Sequence, residues 1–295
     1  MSVDAIPTIR PAVSDAVRAG RRLDAADVRT LALLTDIISL GALADGVRRG
    51  RHGAATTFVR VHVLDVATPA AWTAPPPGAR EIRLAGAPAS PAAAVDAVQR
   101  AKALADGLPL RGFVLAALVR LGGAALLAEL KSAGLDEVAL VEPGPDAAAA
   151  VQSARAAGLA ARVIGAVACP DDRAEWILDA RALQDAVGGF EAVAPLSDAA
   201  DPATPTTGFD DVRQVALARL ALETVPRVQV DWRRHGPKLA QVALTVGADD
   251  VDLVAADDDT ARGTRRAPLE EIRRNITAAG LTPLARDGRF ASLAG

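Results

Sequence analysis

Cysteine is almost missing from this chain: Cys169 is the single one among 295 residues. That count excludes a disulfide framework and a metal cluster held by several thiolates of this chain. Tyrosine is absent and aromatics reach only 3%, while hydrophobic residues make up 51%. A large core is therefore expected, built mostly from Ala, Val and Leu. No apolar run approaches the ~18 residues of a membrane span, and Met1–Ile9 has no basic segment leading into an apolar core. The formal charge of −3 and a pI of about 5.7 lack the basic excess of a nucleic-acid-binding domain. The expectation is a soluble, cytoplasmic protein with no nucleic-acid partner and no membrane span.

What is present is a repeated unit. Gly236-Pro237 marks a helix entrance, an apolar helix comes next, Gly247 ends it, and Val251–Ala255 reads as a strand. Upstream, Val13–Ala19, Asp24–Leu34 and Asp36–Arg49 read as helices, with Asp24 as an N-cap. The first strand is Thr57–Val66, a nearly continuous apolar run of the kind buried on both faces. Further strands are predicted at Arg80–Ala85, Leu110–Ala117, Glu137–Val141, Ala161–Ala168, Ala192–Leu196 and Arg227–Trp232. Between them lie helices from Ser90-Pro91 to Ala105, Gly123–Ala133, Asp146–Ala157, Asp171–Ala186 and Asp210–Glu223, with Leu269–Ala279 last. Gly134, Gly158 and Gly188-Gly189 stop three of them. Eight strands alternating with helices predict a (β/α)8 barrel over residues 56–295, behind an N-terminal helical cap over 1–55. No glycine-rich phosphate loop comes after Val66, which argues against an open doubly wound sheet.

Several stretches resemble the radical SAM enzymes of the futalosine pathway of menaquinone biosynthesis. These are aminofutalosine synthase and dehypoxanthine futalosine cyclase, with the deazaflavin (FO) synthases more distant. Gly188-Gly189-Phe190-Glu191-Ala192-Val193-Ala194-Pro195-Leu196 is similar to the family's GGFQAFIPL strand. The likeness continues through Val215–Leu222, Val225-Pro226, Gly236–Asp250, Ala278-Ala279-Gly280, Pro283 and Arg286-Asp287. Upstream, Arg181-Ala182-Leu183-Gln184-Asp185 resembles the RELQD helix, and Leu40–Arg49 the N-terminal helix. The resemblance implies a TIM-type barrel of the radical SAM kind with an N-terminal helical extension. It also implies a CxxxCxxC motif after the first strand, whose three thiolates would hold a [4Fe-4S] cluster that binds S-adenosylmethionine. The corresponding segment, His62–Trp72, contains no cysteine. The family's GGxHP turn is here Ala85-Gly86-Ala87-Pro88, its acidic Gly-rich segment is Val141-Glu142-Pro143-Gly144-Pro145, and its GHxE is Gly165-Ala166-Val167-Ala168. Neither cluster nor S-adenosylmethionine is expected to bind, and no other cofactor or metal is implied.

Barrel chemistry sits at the C-terminal ends of the strands. The candidates there are His62, Asp65, Glu142, Cys169 and Asp231. Converging carboxylates could serve as acid and base or hold a hard cation, and a thiol needs a neighbouring base. Each also has a plain reading: a core histidine, a helix-capping carboxylate, a small half-buried residue. Arg60 and Arg233-Arg234 could form an anion site suited to carboxylates, or a solvated rim. Asp249-Asp250 with Asp252 does not fit a calcium-loop spacing and reads as structural, and Asp257-Asp258-Asp259 as a solvated loop. Three functions remain open: a pseudoenzyme that pairs with a cluster-bearing homologue or binds a pathway intermediate, a barrel repurposed for non-radical catalysis, or a small-molecule binder whose mouth is widened by Ala85, Ala87, Ala166 and Ala168.

Overall fold

The computed structural model describes residues 9–170, 172–197, 208–258 and 267–293. Three helices come first: α1 (Pro11–Arg18), α2 (Ala25–Ala32) and α3 (Ile37–His52). Asp24 and Asp36 cap the latter two, each carboxylate accepting a backbone N–H three residues on. These helices are packed onto the sheet and do not stand apart from it. Val13, Leu23, Leu40 and Ala44 belong to the same buried apolar cluster as the strands behind them. Gly41 is why α3 sits so close: a Cβ there would lie 2.6 Å from Val246 Cγ1.

The parallel strands are β1 (Ala55–Asp65), β2 (Glu81–Ala85), β3 (Leu110–Val114), β4 (Glu137–Leu140), β5 (Val163–Gly165), β6 (Ala192–Ala194), β7 (Arg227–Asp231) and β8 (Asp250–Ala255). They pair in the order β4-β3-β2-β1-β8-β7-β6-β5. Bridges from Glu137 to Ala160 and from Val141 to Ile164, with Val141 N–H donating to Val163 O at 2.9 Å, bring the two ends of the path together. The result is a nearly closed (β/α)8 barrel. Its outer helices are α4 (Pro91–Leu104), α5 (Leu115–Ala133), α6 (Ala147–Ala156), α7 (Arg173–Val187), α8 (Gly208–Ala221), α9 (Trp232–Thr245) and α10 (Pro268–Ala278). Between strands and helices the packing is Val, Leu and Ala, as the composition implies.

The strand expected at Leu110–Ala117 ends at Val114, where helix takes over through the next apolar run. Phe113 has φ +62° there, which stops the extended chain. Gly236, with φ +73°, breaks α9 rather than opening it, and a helical turn, Trp232–His235, precedes the Gly-Pro pair. A ninth strand, β9 (Thr282–Ala285), runs parallel to the first half of β1, on the side that β2 occupies further along. The segment after it closes the barrel's lower end: Gly288 N–H donates to Arg80 O, and Phe290 lies 4.1 Å from the Arg286 guanidinium carbon.

The lumen departs most from the expected Ala-Val-Leu filling. Alternate residues of the strands point inward, and in this barrel they are charged. At the lower end Arg286 grips Asp250 through two bonds, of 2.6 and 2.7 Å, and both residues are fully buried. Gln229 and Thr57 donate to the same carboxylate. Above them Glu81 meets Arg83, Arg111 lies 3.5 Å from Glu137, and Arg162 reaches Glu137 from the other side. Arg83 then bridges to Asp252 at 3.1 Å. Burial alone would suppress the Arg83 charge, but Asp252 and Glu81 outweigh it and raise its pKa. Burial likewise opposes the Asp252 carboxylate, yet Arg83, Arg111 and Arg286 bring its pKa below the ordinary value. Glu81 goes the other way, because burial exceeds the pull of Arg83 and Arg111 and pushes it up.

Candidate functional site at the barrel mouth

The C-terminal strand ends open on a cavity of about 440 Å³. Val63, Leu84, Phe113, Val114 and Leu253 give it apolar walls, and Asp231, Arg233 and Arg234 stand on one side. A smaller space of about 80 Å³ reaches further in, toward Gln229, His235 and Asp252. The two share Arg83, Val114, Ala139, Asp231 and Leu253 in their walls.

Two backbone features aim this site. Leu253 has φ +56° and Phe113 φ +62°, a region that costs a bulky side chain of order 1–3 kcal/mol and is held only where the surroundings enforce it. In β8 the register with β1 shifts between Phe58 and Arg60, so Asp252 and Leu253 face the single Val59. That bulge is what turns Asp252 toward Arg83 and Leu253 toward the mouth. The helical turn before Gly236 carries Arg233 and Arg234 to the opening and His235 to the inner space. Asp231 holds that turn, its Oδ1 accepting the Arg234 N–H at 2.9 Å.

The predicted site residues do not converge. Asp231 is at the mouth, where it lines the cavity and caps α9. His62 lies on the other face of β1 from Val63 and meets Thr73 O at 3.0 Å through Nε2. Asp65 caps the turn after β1, accepting the Ala67 N–H at 2.9 Å. Glu142 lines a separate space between α5 and α6 and accepts the Val167 N–H at 3.4 Å. Cys169 is half-buried, with Arg173 Nη2 at 3.6 Å from its sulfur. The reason is register: neighbouring positions along a strand face opposite ways, and His62 falls on the outward set. Arg60 is no anion site either. Its guanidinium is turned to the Ala255 and Ala256 carbonyls and to Asp258, the latter at 2.9 Å. Asp258 is thus an ion-pair partner rather than part of a free loop, and Asp259 lies outside the described residues. Asp249 and Asp250 are structural, holding Arg219 and Arg286 respectively.

His235 escaped the sequence reading, because the helix was expected to start only at Gly236. Its Nδ1 is buried without a hydrogen-bond partner. Among the described residues no group of three or more His, Cys, Asp or Glu could hold a metal ion. The loop between β1 and β2 is tied to itself: Trp72 Nε1 donates to Asp65 O at 2.7 Å, and Arg100 donates to Pro69 O at 3.1 Å while lying 5.3 Å from the Trp72 ring centre.

Residues 196–293 match the family described as the CofH/MqnC C-terminal region. Aminodeoxyfutalosine synthase of Thermus thermophilus is 32% identical over 148 residues, which are 44% of this chain and 39% of that enzyme. Over these residues the chain is similar to enzymes named for futalosine synthesis. A 5-amino-6-(D-ribitylamino)uracil–L-tyrosine 4-hydroxyphenyl transferase of Methanosarcina barkeri is 30% identical over 141 residues, 42% of this chain and 36% of the transferase. The alignments therefore span about two fifths of the length of these curated relatives. The structure of methylornithine synthase (PylB) superposes with a TM-score of 0.61, covering 94% of this chain and 98% of that one, at 16% identity. That likeness shows a shared barrel fold. In this radical SAM-like barrel the loop after β1, Val66–Arg80, contains no cysteine.

Proposed function

We propose that this chain is a futalosine-type radical SAM-like barrel without an iron–sulfur cluster, acting in the cytoplasm as a non-catalytic partner of a cluster-bearing homologue. The β1–β2 loop carries the reading. A [4Fe-4S] cluster needs several thiolates, and the loop where the family's motif is expected offers none. Cys169, the remaining thiol, comes after β5 and faces Arg173. The donor set does not fit the cluster, so no radical step is derived for this chain. Buried ion pairs such as Arg83–Asp252 and Arg286–Asp250 occupy much of the lumen below the mouth. No helix among the described residues is long and apolar enough to cross a membrane.

Two measurements test the proposal. Anaerobic incubation with iron and sulfide should leave iron near background after desalting; about four irons per chain with a visible cluster absorbance would overturn the cluster-less reading. Co-expression with an intact CxxxCxxC homologue, and then size-exclusion chromatography with light scattering, should give a mixed complex. Two separate peaks would sink the partner role.

A further inference from the structure

We propose that the groove between α1, α3 and the end of α8 is a docking site for an acidic amphipathic helix of the cluster-bearing homologue. The source of that helix rests on the partner role proposed above; its chemistry is set by the groove.

Shape comes first. The groove measures about 810 Å³ and lies outside the barrel, on the N-terminal helices. It is lined by α3 along its whole length, where Asp36, Ser39, Leu43, Gly46 and Gly50 recur at helical spacing and share one face. From Asp36 to Arg51 that face runs about 22 Å, room for about four turns of a second helix. Such a seam is what one helix presents to another lying along it. Val17, Leu43, Val47 and Leu220 supply its apolar part.

Two glycines fit this reading. A Cβ at Gly46 or Gly50 would meet nothing within 4 Å, whereas one at Gly41 would strike Val246. Packing inside the chain therefore explains Gly41 and leaves the other two unexplained, although glycine within a helix weakens it. Bare backbone at both positions lets a second helix axis come close.

Charge selects the occupant. The two carboxylates in the lining are already engaged: Asp36 caps α3, and Glu223 lies 3.3 Å from Arg22. Arg18 is 3.8 Å from Asp15. Arg21 and Arg51 also line the groove and form no ion pair among the described residues. Partial burial lowers the pKa of Arg51, with Asp249 and Glu223 pulling the other way. Two guanidinium groups without counter-charges beside an apolar seam favour a helix that carries Asp or Glu next to its apolar face.

The test uses the full chain and the intact CxxxCxxC homologue of the same organism, by size-exclusion chromatography with light scattering and then calorimetric titration. The parent chain should form a one-to-one mixed complex. Gly46→Leu should weaken it at least about tenfold, without lowering the melting temperature, because the space over Gly46 is open and leucine favours helix. The double reversal Arg21→Glu/Arg51→Glu should also weaken it at least about tenfold, by setting like charges against each other. Arg273→Gln, an exposed arginine on α10 paired with Glu270, should bind like the parent. Deleting residues 2–8 should change the affinity by less than about twofold. A mixed complex that tolerates both Gly46→Leu and the double reversal would overturn the groove assignment while the partner role stands. No mixed complex at all would overturn both. A homodimer of the chain alone that the same variants dissolve would give the groove to a second copy, and an affinity gain of about tenfold on deleting residues 2–8 would give it to that segment. Either result overturns the proposal.

Discussion

Breaking the pair at the foot of the lumen gives a demanding test of this architecture. Arg286 and Asp250 are both fully buried, joined by bonds of 2.6 and 2.7 Å. Asp250→Leu leaves the Arg286 guanidinium buried without its counter-charge, which costs about 3–5 kcal/mol. Against a usual domain stability of about 5–15 kcal/mol, that is a large share. With an m-value near 3 kcal/mol/M in urea, the midpoint should fall by about 1–2 M. Arg286→Met should cost a similar amount, since it strands the carboxylate. The double variant Asp250→Leu/Arg286→Met removes both charges at comparable volume, and such replacements are often neutral or better. Some loss remains, because Gln229 and Thr57 also use this carboxylate, at about 1–3 kcal/mol for each polar group left unpaired. The double variant should still recover at least about 2 kcal/mol over the worse single one. Urea titration monitored by far-UV circular dichroism measures all four corners of the cycle. Singles costing under about 1 kcal/mol, or effects that simply add, would refute the claim that the pair is desolvated and coupled.

The same physics sets other expectations. The Asp252 carboxylate is favoured in the fold, so its contribution is present above its ordinary pKa of about 3.9 and is lost as pH falls through its lowered folded value; Asp252→Asn should flatten that acid limb in thermal melts. Glu81 is raised, so its protonated form is favoured and its contribution is lost as pH rises from about 4.3 through its folded value; Glu81→Gln should lessen the decline seen there. In α3 a Cβ at Gly46 would meet nothing within 4 Å, whereas at Gly41 it would meet Val246. Gly46→Ala should therefore stabilise by about 0.5–1 kcal/mol, and Gly41→Ala should destabilise, both read by denaturant titration. His62→Ala removes the tie to Thr73, so proteolysis within the β1–β2 loop should quicken.

Much of the barrel is legible in the sequence because its punctuation is local. Gly134, Gly158 and Gly188 end helices with φ values of +110°, +84° and +57°, conformations that glycine adopts without strain. The apolar run after Val114 carries no such mark, and its periodicity does not separate strand from helix. β9 escapes for another reason: Thr282–Ala285 is short, contains a proline and is half exposed, and long-range pairing with β1 decides its state. The lumen charges are visible as the alternation Glu81, Arg83 and the pair Asp250, Asp252. Only strand register shows that they face one another across the barrel. Of the mouth, Asp231 and the Arg233-Arg234 pair were readable from position. His62, Asp65, Glu142 and Cys169 were not separable from it, because facing and depth are tertiary properties.

The placement of the first half of β1 between β8 and β9 has a consequence for how this protein is made. Thr57 bonds to the Asp249 carbonyl 192 residues away, and Phe58 O accepts the N–H of Arg286. During synthesis β1 emerges early; its second half meets β2 soon after, but its first half must wait for β8 and β9, near the end of the chain. Until then it presents an apolar edge able to pair with other chains, and barrel closure carries the slow kinetics of distant contacts. Nascent chains truncated before residue 282 are expected to remain chaperone-bound, and release should track the arrival of the last strand rather than of any earlier helix.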